Sequence, residues 1–206
     1  MSEYHKIQSI YLRDPATKFK TFLEGDYSLR EFKYLENVPW TWTEKVDGTN
    51  IRVMWNGERV TFGGRTDNAQ LPTGLLTRLL ELFPAETMKE VFSENQIILY
   101  GEGYGNKIQA GGKYKSSEDF VLFDVLFNGK WSDRELVEAN AKSLEIDVVP
   151  IIGVGNLLEA VEKVRNGITS TWGDFIAEGI VARPAVELLT RDGHRVITKI
   201  KHRDFK

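Results

Sequence analysis

The constraint that acts first on this chain is the shortness of its apolar runs. β-Branched and aromatic residues gather at Trp40–Val46, Ile51–Trp55, Arg59–Phe62, Gln96–Tyr100, Phe120–Phe127, Val148–Ile152, Ala177–Arg183 and His194–Ile200. Short runs bounded by turn residues are strand signals. Asn56-Gly57, Asn128-Gly129 and Asp192-Gly193 mark three of the boundaries, and such dipeptides accept the positive φ of tight hairpin turns. Antiparallel hairpins are therefore predicted there. Helical spacing appears at Leu75, Leu76, Leu79, Leu80 and Phe83, with a second piece after Pro84. Ser132-Asp133-Arg134-Glu135 has the form of a capping box opening a helix to about Leu144. Asn156–Asn166, with Gly167 beyond it, reads as another amphipathic helix. The expectation is one α+β domain of mostly antiparallel sheets flanked by helices.

Composition narrows the chemistry. The 206 residues include no cysteine, which excludes disulfides, thiolate metal sites and thiol nucleophiles. His5, His194 and His202 are the only histidines, too few for a histidine-rich metal centre. No apolar run approaches the roughly 20 residues of a membrane-spanning helix, and no signal-like segment follows the amino terminus. A reducing, cytoplasmic setting without a membrane is expected. The net charge of −3 gives no overall basic signature, but the charge is unevenly spread. Lys107, Lys113 and Lys115 stand without acids in Gly103–Lys115, and Pro184–Lys206 is rich in cations, whereas Trp131–Glu162 is rich in acids. Such a distribution suits a basic working face and an acidic back.

Chemistry concentrates first at Thr43-Glu44-Lys45-Val46-Asp47-Gly48-Thr49-Asn50. A strand delivers Lys45, the two-residue period puts Asp47 on the same face, and Gly48 breaks the strand. A lysine amine becomes a covalent nucleophile when its surroundings free the lone pair. Taken alone, K-x-D-G arises by chance in roughly one chain of this length in twenty. Lys199 and Lys201 alternate with Ile200 and so share a strand face; by themselves they suit the solvated face of a terminal strand better.

The motifs occur together, and in an order that resembles the covalent nucleotidyltransferases, the superfamily of polynucleotide ligases and mRNA capping enzymes. Lys45-Val46-Asp47-Gly48 resembles motif I and Gly64-Arg65-Thr66 motif Ia. Tyr100-Gly101-Glu102-Gly103 resembles motif III, and Phe120–Val125 motif IIIa. Glu178-Gly179-Ile180-Val181 resembles motif IV, and Lys199-Ile200-Lys201 motif V. Where DNA ligases and capping enzymes usually carry arginine, this chain has Asn50. That ending, with Arg65 and the Lys-x-Lys pair, is similar to the nick-sealing, double-strand type of RNA ligase.

The resemblance implies a nucleotidyltransferase (ATP-grasp-like) ligase fold and three phosphoryl transfers. ATP would adenylylate Lys45, the AMP would pass to an RNA 5′-phosphate, and a 3′-hydroxyl would seal the strand. It implies catalytic roles for Lys45, Asp47, Lys199 and Lys201, the last two meeting the α-phosphate. Nucleotide contacts fall to Glu44 at the adenine amino group, Asn50, Arg65, Glu102 at the ribose, Phe123 stacking on the base, and Glu178. Val121, Phe123 and Val125 are expected on one strand face. Mg²⁺, a hard ion that prefers carboxylate and water oxygens, would be held by Glu178 and secondarily by Glu102.

The expected partners are ATP and RNA ends, in a nicked duplex or a single strand. The chain is expected to act as a monomer, with a partner protein a further source of RNA contacts. Residues 1–206 are expected to form a single domain without an appended oligonucleotide-binding or helical domain. The alternatives are a DNA or mixed polynucleotide ligase, a capping-type guanylyltransferase, and a catalytically silent RNA-end-binding protein.

Overall fold

The computed structural model describes residues 3–206. The chain divides into two units: a split unit, His5–Val46 with Pro150–Lys206, and a continuous unit, Asp47–Val149 joined by Tyr4. The first stretch supplies β1 (Gln8–Ser9), β2 (Tyr11–Arg13), β3 (Phe22–Tyr27), α1 (Arg30–Tyr34) and β4 (Trp40–Lys45). The middle stretch begins with β5 (Thr49–Trp55), β6 (Val60–Gly63), α2 (Thr73–Leu82), α3 (Ala85–Phe92) and β7 (Ile97–Tyr104). It ends with β8 (Asp119–Phe127), β9 (Lys130–Trp131), α4 (Arg134–Ser143) and β10 (Asp147–Val148). The last stretch supplies β11 (Ile151–Gly155), α5 (Leu157–Asn166), β12 (Gly179–Pro184) and β13 (Thr198–Lys201). The two larger sheets are mainly antiparallel, β1–β13 and β10–β8 being parallel pairs, and β2 with β3 forms a small antiparallel sheet of its own. The α+β expectation holds.

In the split unit the strand order is β1-β13-β12-β4-β11. Side chains alternate across a strand, and β4 accordingly buries Trp40, Trp42 and Glu44 while Thr41, Thr43 and Lys45 are half-buried. The buried tryptophans join Ile180, Ala182 and Ile200 against Leu157, Ala160, Val161 and Val164 of α5. That helix starts with a complete capping box between Asn156 and Glu159, which satisfies backbone donors that a helix start leaves orphaned. The opposite face of β12 and β13 carries Lys199 and Lys201.

In the continuous unit the order is β10-β8-β7-β5-β6, with β9 on β8. Ile51, Val53, Trp55 and Leu99 on one sheet face pack with Leu75, Leu79 and Phe83, and with Val137 and Ala141 of α4. Burying one such large apolar side chain is worth roughly 1.5–3 kcal/mol. The opposite sheet face carries Asn50, Arg52, Tyr100 and Glu102.

Five local expectations change. Leu76 and Leu80 are exposed, so the buried stripe of α2 is Leu75, Leu79 and Phe83. The cap of α4 is Asp133, whose side chain accepts from Leu136 N–H, and not the Ser132–Glu135 box. Val148–Ile152 is two strands in two different sheets, because Pro150 lacks the N–H a ladder needs. Within His194–Ile200 only the end joins a strand, β13; Asp192-Gly193 turns a loop closed by a single bridge between Leu189 and Arg195. A register shift in β7–β8 pairs Gly101 with Leu122 but Tyr100 with Asp124, leaving Phe123 as the extra residue of a bulge. Val121 and Val125 therefore lie on opposite faces, Val125 in the helix-packed core.

Candidate active site

In the split unit, register brings the motif residues into one row. Lys45 of β4 and Lys201 of β13 both pair with Gly179 of β12, so the two lysines flank a position without a side chain. A Cβ at Gly179 would stand 2.0 Å from the Ile200 carbonyl oxygen, which explains glycine there. Glu178, immediately before β12, fills the space between the ammonium groups. Its Oε2 lies 2.6 Å from Lys45 Nζ and its Oε1 lies 2.5 Å from Lys201 Nζ. The three side chains are only 20%, 9% and 14% exposed for Lys45, Glu178 and Lys201, so water screens the cluster weakly. Burial pushes the Glu178 carboxyl upward, but Lys45 and Lys201 outweigh it and hold the group below the usual glutamate range. Lys199 follows on the same face as Lys201, opposite Val181.

Glu44 points to the other face of β4. Its buried carboxylate accepts from Ser170 Oγ at 2.5 Å and from Thr171 N–H and Oγ, both at 2.8 Å. Nothing in the sequence around Ser170 and Thr171 signals that role. Of the cations in Pro184–Lys206, Arg195 is withdrawn from the expected basic face: it is buried and paired with Glu187.

The continuous unit carries the remaining residues. Asp47 is half-buried, and its N–H donates to Tyr114 Oη at 3.2 Å. A Cβ at Gly48 would meet the Gly103 carbonyl oxygen at 2.2 Å, so backbone packing alone requires glycine in that motif. Asn50 of β5 faces Glu102 of β7 directly across the ladder. Asn50 Oδ1 is buried without a hydrogen-bond partner among the described residues. Such an acceptor is costly unless a ligand supplies a donor. Phe123 is half-buried, its ring edge-on to Tyr4 at 5.1 Å, while Tyr4 Oη donates to Asp124 at 2.8 Å.

Arg65 is exposed on the loop after β6. Buried Arg52 holds that loop, donating Nε–H to the Gly64 carbonyl at 2.8 Å and pairing with Asp67 at 2.7 Å. The guanidinium's hydrogen bond and charge keep the Asp67 carboxyl below its usual range. An arginine inside the apolar run Ile51–Trp55 was the sequence signal for Arg52, since a charge in a strand interior needs a partner.

Among the described residues no group of three or more histidine or acidic side chains forms a ready metal cage. Mg²⁺ does not require one. It commonly takes one or two carboxylates with phosphate oxygens and water, and Glu178 is a donor of that kind. No described helix is long and apolar enough to cross a membrane.

Comparison with known proteins bears on the fold and the family. RNA ligase of Naegleria gruberi, as a lysine-to-alanine variant with ATP and manganese, is similar at a TM-score of 0.70 and 14% identity, over 98% of this chain and 56% of that chain. A second lysine-to-alanine variant with the same ligands gives 0.68 at 16%, over 99% and 60%. The same ligase with pyrophosphate gives 0.67 at 15%, over 98% and 58%. These matches show a shared fold, and the chain spans little more than half the length of those proteins. A sequence model of the family described as RNA ligase matches residues 38–201, from just before β4 to the last residue of β13. The chain belongs to the RNA ligase family.

Proposed function

We propose that the protein is an ATP-dependent RNA ligase that works through a Lys45–AMP intermediate. The observation that carries the proposal is the enclosed Lys45–Glu178–Lys201 cluster in a chain of this family. The Naegleria structures with ATP and manganese support the choice of nucleotide and of a divalent ion. In this reading residues 1–206 act as one nucleotidyltransferase domain.

The free amine of Lys45 attacks the α-phosphorus of ATP. The bond to the bridging oxygen breaks, pyrophosphate leaves, and the nitrogen loses its proton. A 5′-phosphate oxygen of RNA then attacks the same phosphorus, the phosphorus–nitrogen bond breaks, and the amine takes up a proton. Finally a 3′-hydroxyl attacks the activated 5′-phosphate, forming the phosphodiester and releasing AMP with the hydroxyl proton. In phosphoryl transfer the protein contributes chiefly position and charge.

At 2.6 Å, Glu178 and Lys45 favour each other's charged forms, whereas attack needs the neutral amine. The cluster is thus a resting arrangement, with Glu178 drawn away from Lys45 when nucleotide enters. Lys199 and Lys201 neutralise the α-phosphate. A bound Mg²⁺ would be held by Glu178, with Glu102 as the second candidate, and would supply neutralisation of phosphate charge. Asp47 orients the nucleophile's segment. Asn50, Arg65, Glu102 and Phe123 are assigned to the nucleotide as the family resemblance implies, and the buried acceptor of Asn50 supports its place in that set; Glu44, turned to the opposite face of β4 and held by Ser170 and Thr171, is left out of it.

The test is incubation with a divalent ion and ATP or GTP labelled on the α-phosphate. Acid-labile label is expected on the protein from ATP and not in Lys45→Ala. Label from GTP alone supports a capping-type guanylyltransferase, and no label from either a silent end-binder. Sealing of nicked duplex RNA in preference to nicked DNA supports the double-strand RNA reading.

A further inference from the structure

Between β2 and β3 the chain makes a loop that displays an aromatic ring at a cost to the fold. Lys18-Phe19-Lys20 stands at its tip with all three side chains exposed, Phe19 to 60%. Lys18 and Phe19 both take positive φ, 57° and 61°, a conformation that bulky side chains rarely adopt. Glycine at position 19 would relieve the backbone and bring no ring into water. A single exposed apolar side chain is ordinary. One carried on a strained backbone calls for a function.

The loop is firmly built. Asp14 N–H donates to the Thr21 carbonyl at 3.0 Å, and Phe19 N–H donates to the Asp14 carbonyl at 2.9 Å. The Thr17 hydroxyl accepts from the N–H groups of Lys20 and Thr21, both at 3.2 Å, and donates to the Asp14 carbonyl at 3.0 Å. Arg13 braces the tip from beneath, reaching the carbonyls of Phe19 and Lys20 at 3.4 Å while pairing with buried Asp204 at 2.8 Å. The Phe22 ring packs on Phe205 at 5.5 Å. Asp204 and Phe205 belong to the turn His202–Phe205 that follows β13. The loop is thus fixed beside the end of the strand that carries Lys199 and Lys201, yet uses neither.

The chemistry of the tip selects its occupant. The ammonium groups of Lys18 and Lys20 have no ion-pair partner among the described residues. A ring held out between two such cations offers a face on which a nucleobase stacks, with cations on either side for the neighbouring phosphates. A base inside a duplex has no free face to give, so the occupant is unpaired. One ring is too small a patch to hold a folded protein, whereas one base on one ring is the unit of single-strand binding.

We infer that Phe19, flanked by Lys18 and Lys20, is a stacking site for an unpaired base of the RNA substrate. The inference rests on the ligase reading for the identity of the nucleic acid.

The test is equilibrium binding of a single-stranded RNA oligonucleotide to the full chain without ATP. Phe19→Gly should bind about tenfold more weakly, while its urea midpoint matches or exceeds the parent's, because glycine accepts the positive φ. Phe19→Trp keeps a stacking face and should bind as the parent does; Phe19→Leu keeps bulk without that face and should bind as Phe19→Gly does. Lys18→Ala/Lys20→Ala should reduce the salt slope of binding by about 0.7 per lysine. Inorganic polyphosphate, a polyanion without bases, should respond to the lysine variant and not to Phe19→Gly. Equal RNA binding by Phe19→Gly and the parent overturns the site. So does an equal loss toward RNA and polyphosphate, which would leave only an electrostatic surface. Loss of binding to anionic phospholipid vesicles with RNA binding intact would assign the ring to a lipid surface and overturn it as well. AMP labelling of the parent is read separately. A Phe19-dependent grip on RNA in a chain that forms no adduct would keep the site and sink the ligase reading, and an adduct with Phe19-independent RNA binding would do the reverse.

Discussion

Two carboxylates in this molecule are each gripped by two cations, one in each unit. In the continuous unit Asp119 accepts from Arg78 at 3.1 Å and from Lys115. In the split unit Glu178 sits between Lys45 and Lys201. The acids are equally enclosed, 8% exposed for Asp119 and 9% for Glu178. In both, burial pushes the carboxyl up and the paired cations hold it below its ordinary value. The difference lies in the cations. Arg78 and Lys115 are 36% and 45% exposed, against 20% for Lys45 and 14% for Lys201. Arg78 and Lys115 remain in water and tie α2 and the preceding loop to the start of β8. The lysines at Glu178 have been drawn in with their counter-ion, an arrangement with a real desolvation cost. Perturbed, enclosed charge of that sort is characteristic of reactive centres, and here it includes a group capable of nucleophilic attack.

The sharpest break of this comparison is at Lys45. Lys45→Ala should abolish AMP adduct formation entirely, while Lys115→Ala should leave it intact; an adduct in both variants removes the distinction. Next, Glu178→Gln keeps the shape and loses the charge. Adduct formation should slow on the order of a hundredfold, as when one electrostatic contact to a transition state is removed. A rate within a few-fold of the parent in single-turnover labelling would reduce Glu178 to a strut like Asp119. Third, Asp119→Asn should cost about 1 kcal/mol in urea unfolding, since its cations are partly solvated, with the labelling rate unchanged. A slowed rate at unaltered stability would mean that Asp119 also serves the reaction.

The smallest effect is in the acid limb. Both carboxyls are depressed in the folded protein. Their stabilisation is therefore fully present above the unfolded carboxylate range, roughly pH 4, and is lost as pH falls through the lower folded values. The stability gap between parent and Asp119→Asn should narrow as urea midpoints are followed downward from neutral pH. A gap that stays constant would show that packing, not charge, connects Asp119 to its neighbours.

Much of this was readable from residue order. Period-two alternation placed Lys199 and Lys201 on one face, and turn dipeptides placed the β8–β9 hairpin, where Asn128 and Gly129 both take positive φ. The motif order singled out Lys45 and Glu178, although not that one carboxylate bridges two lysines. That depends on the register of three strands distant in sequence, which local pattern does not encode. The bulge at Phe123 escaped for a similar reason: alternation assumes an unbroken ladder, and one inserted residue reverses every face beyond it. Pro150 was a visible warning that Val148–Ile152 could not be one strand. Arg52 was equally visible as a charge in an apolar run. The partners of Glu44 were not, because Ser170 and Thr171 reach it from a loop without regular spacing.

The crossing of the chain from one unit to the other and back bears on how the protein is born. Lys45 and Glu178 are 133 residues apart in sequence, and the β4 that carries Lys45 finds its partner strands β11 and β12 only after the whole continuous unit has been made. At translation speeds of about 5–20 residues per second, the amino-terminal stretch waits on the order of ten seconds for that partner. The continuous unit, by contrast, has its sheet complete in one stretch and can fold while the ribosome is still at work. A product terminated before β11 would thus lack the strands that seat Lys45. The row that holds Lys45 assembles only after β12 and β13 have been made, so possession of the Glu178 clamp certifies that the message was read through the whole continuous unit and on to β13.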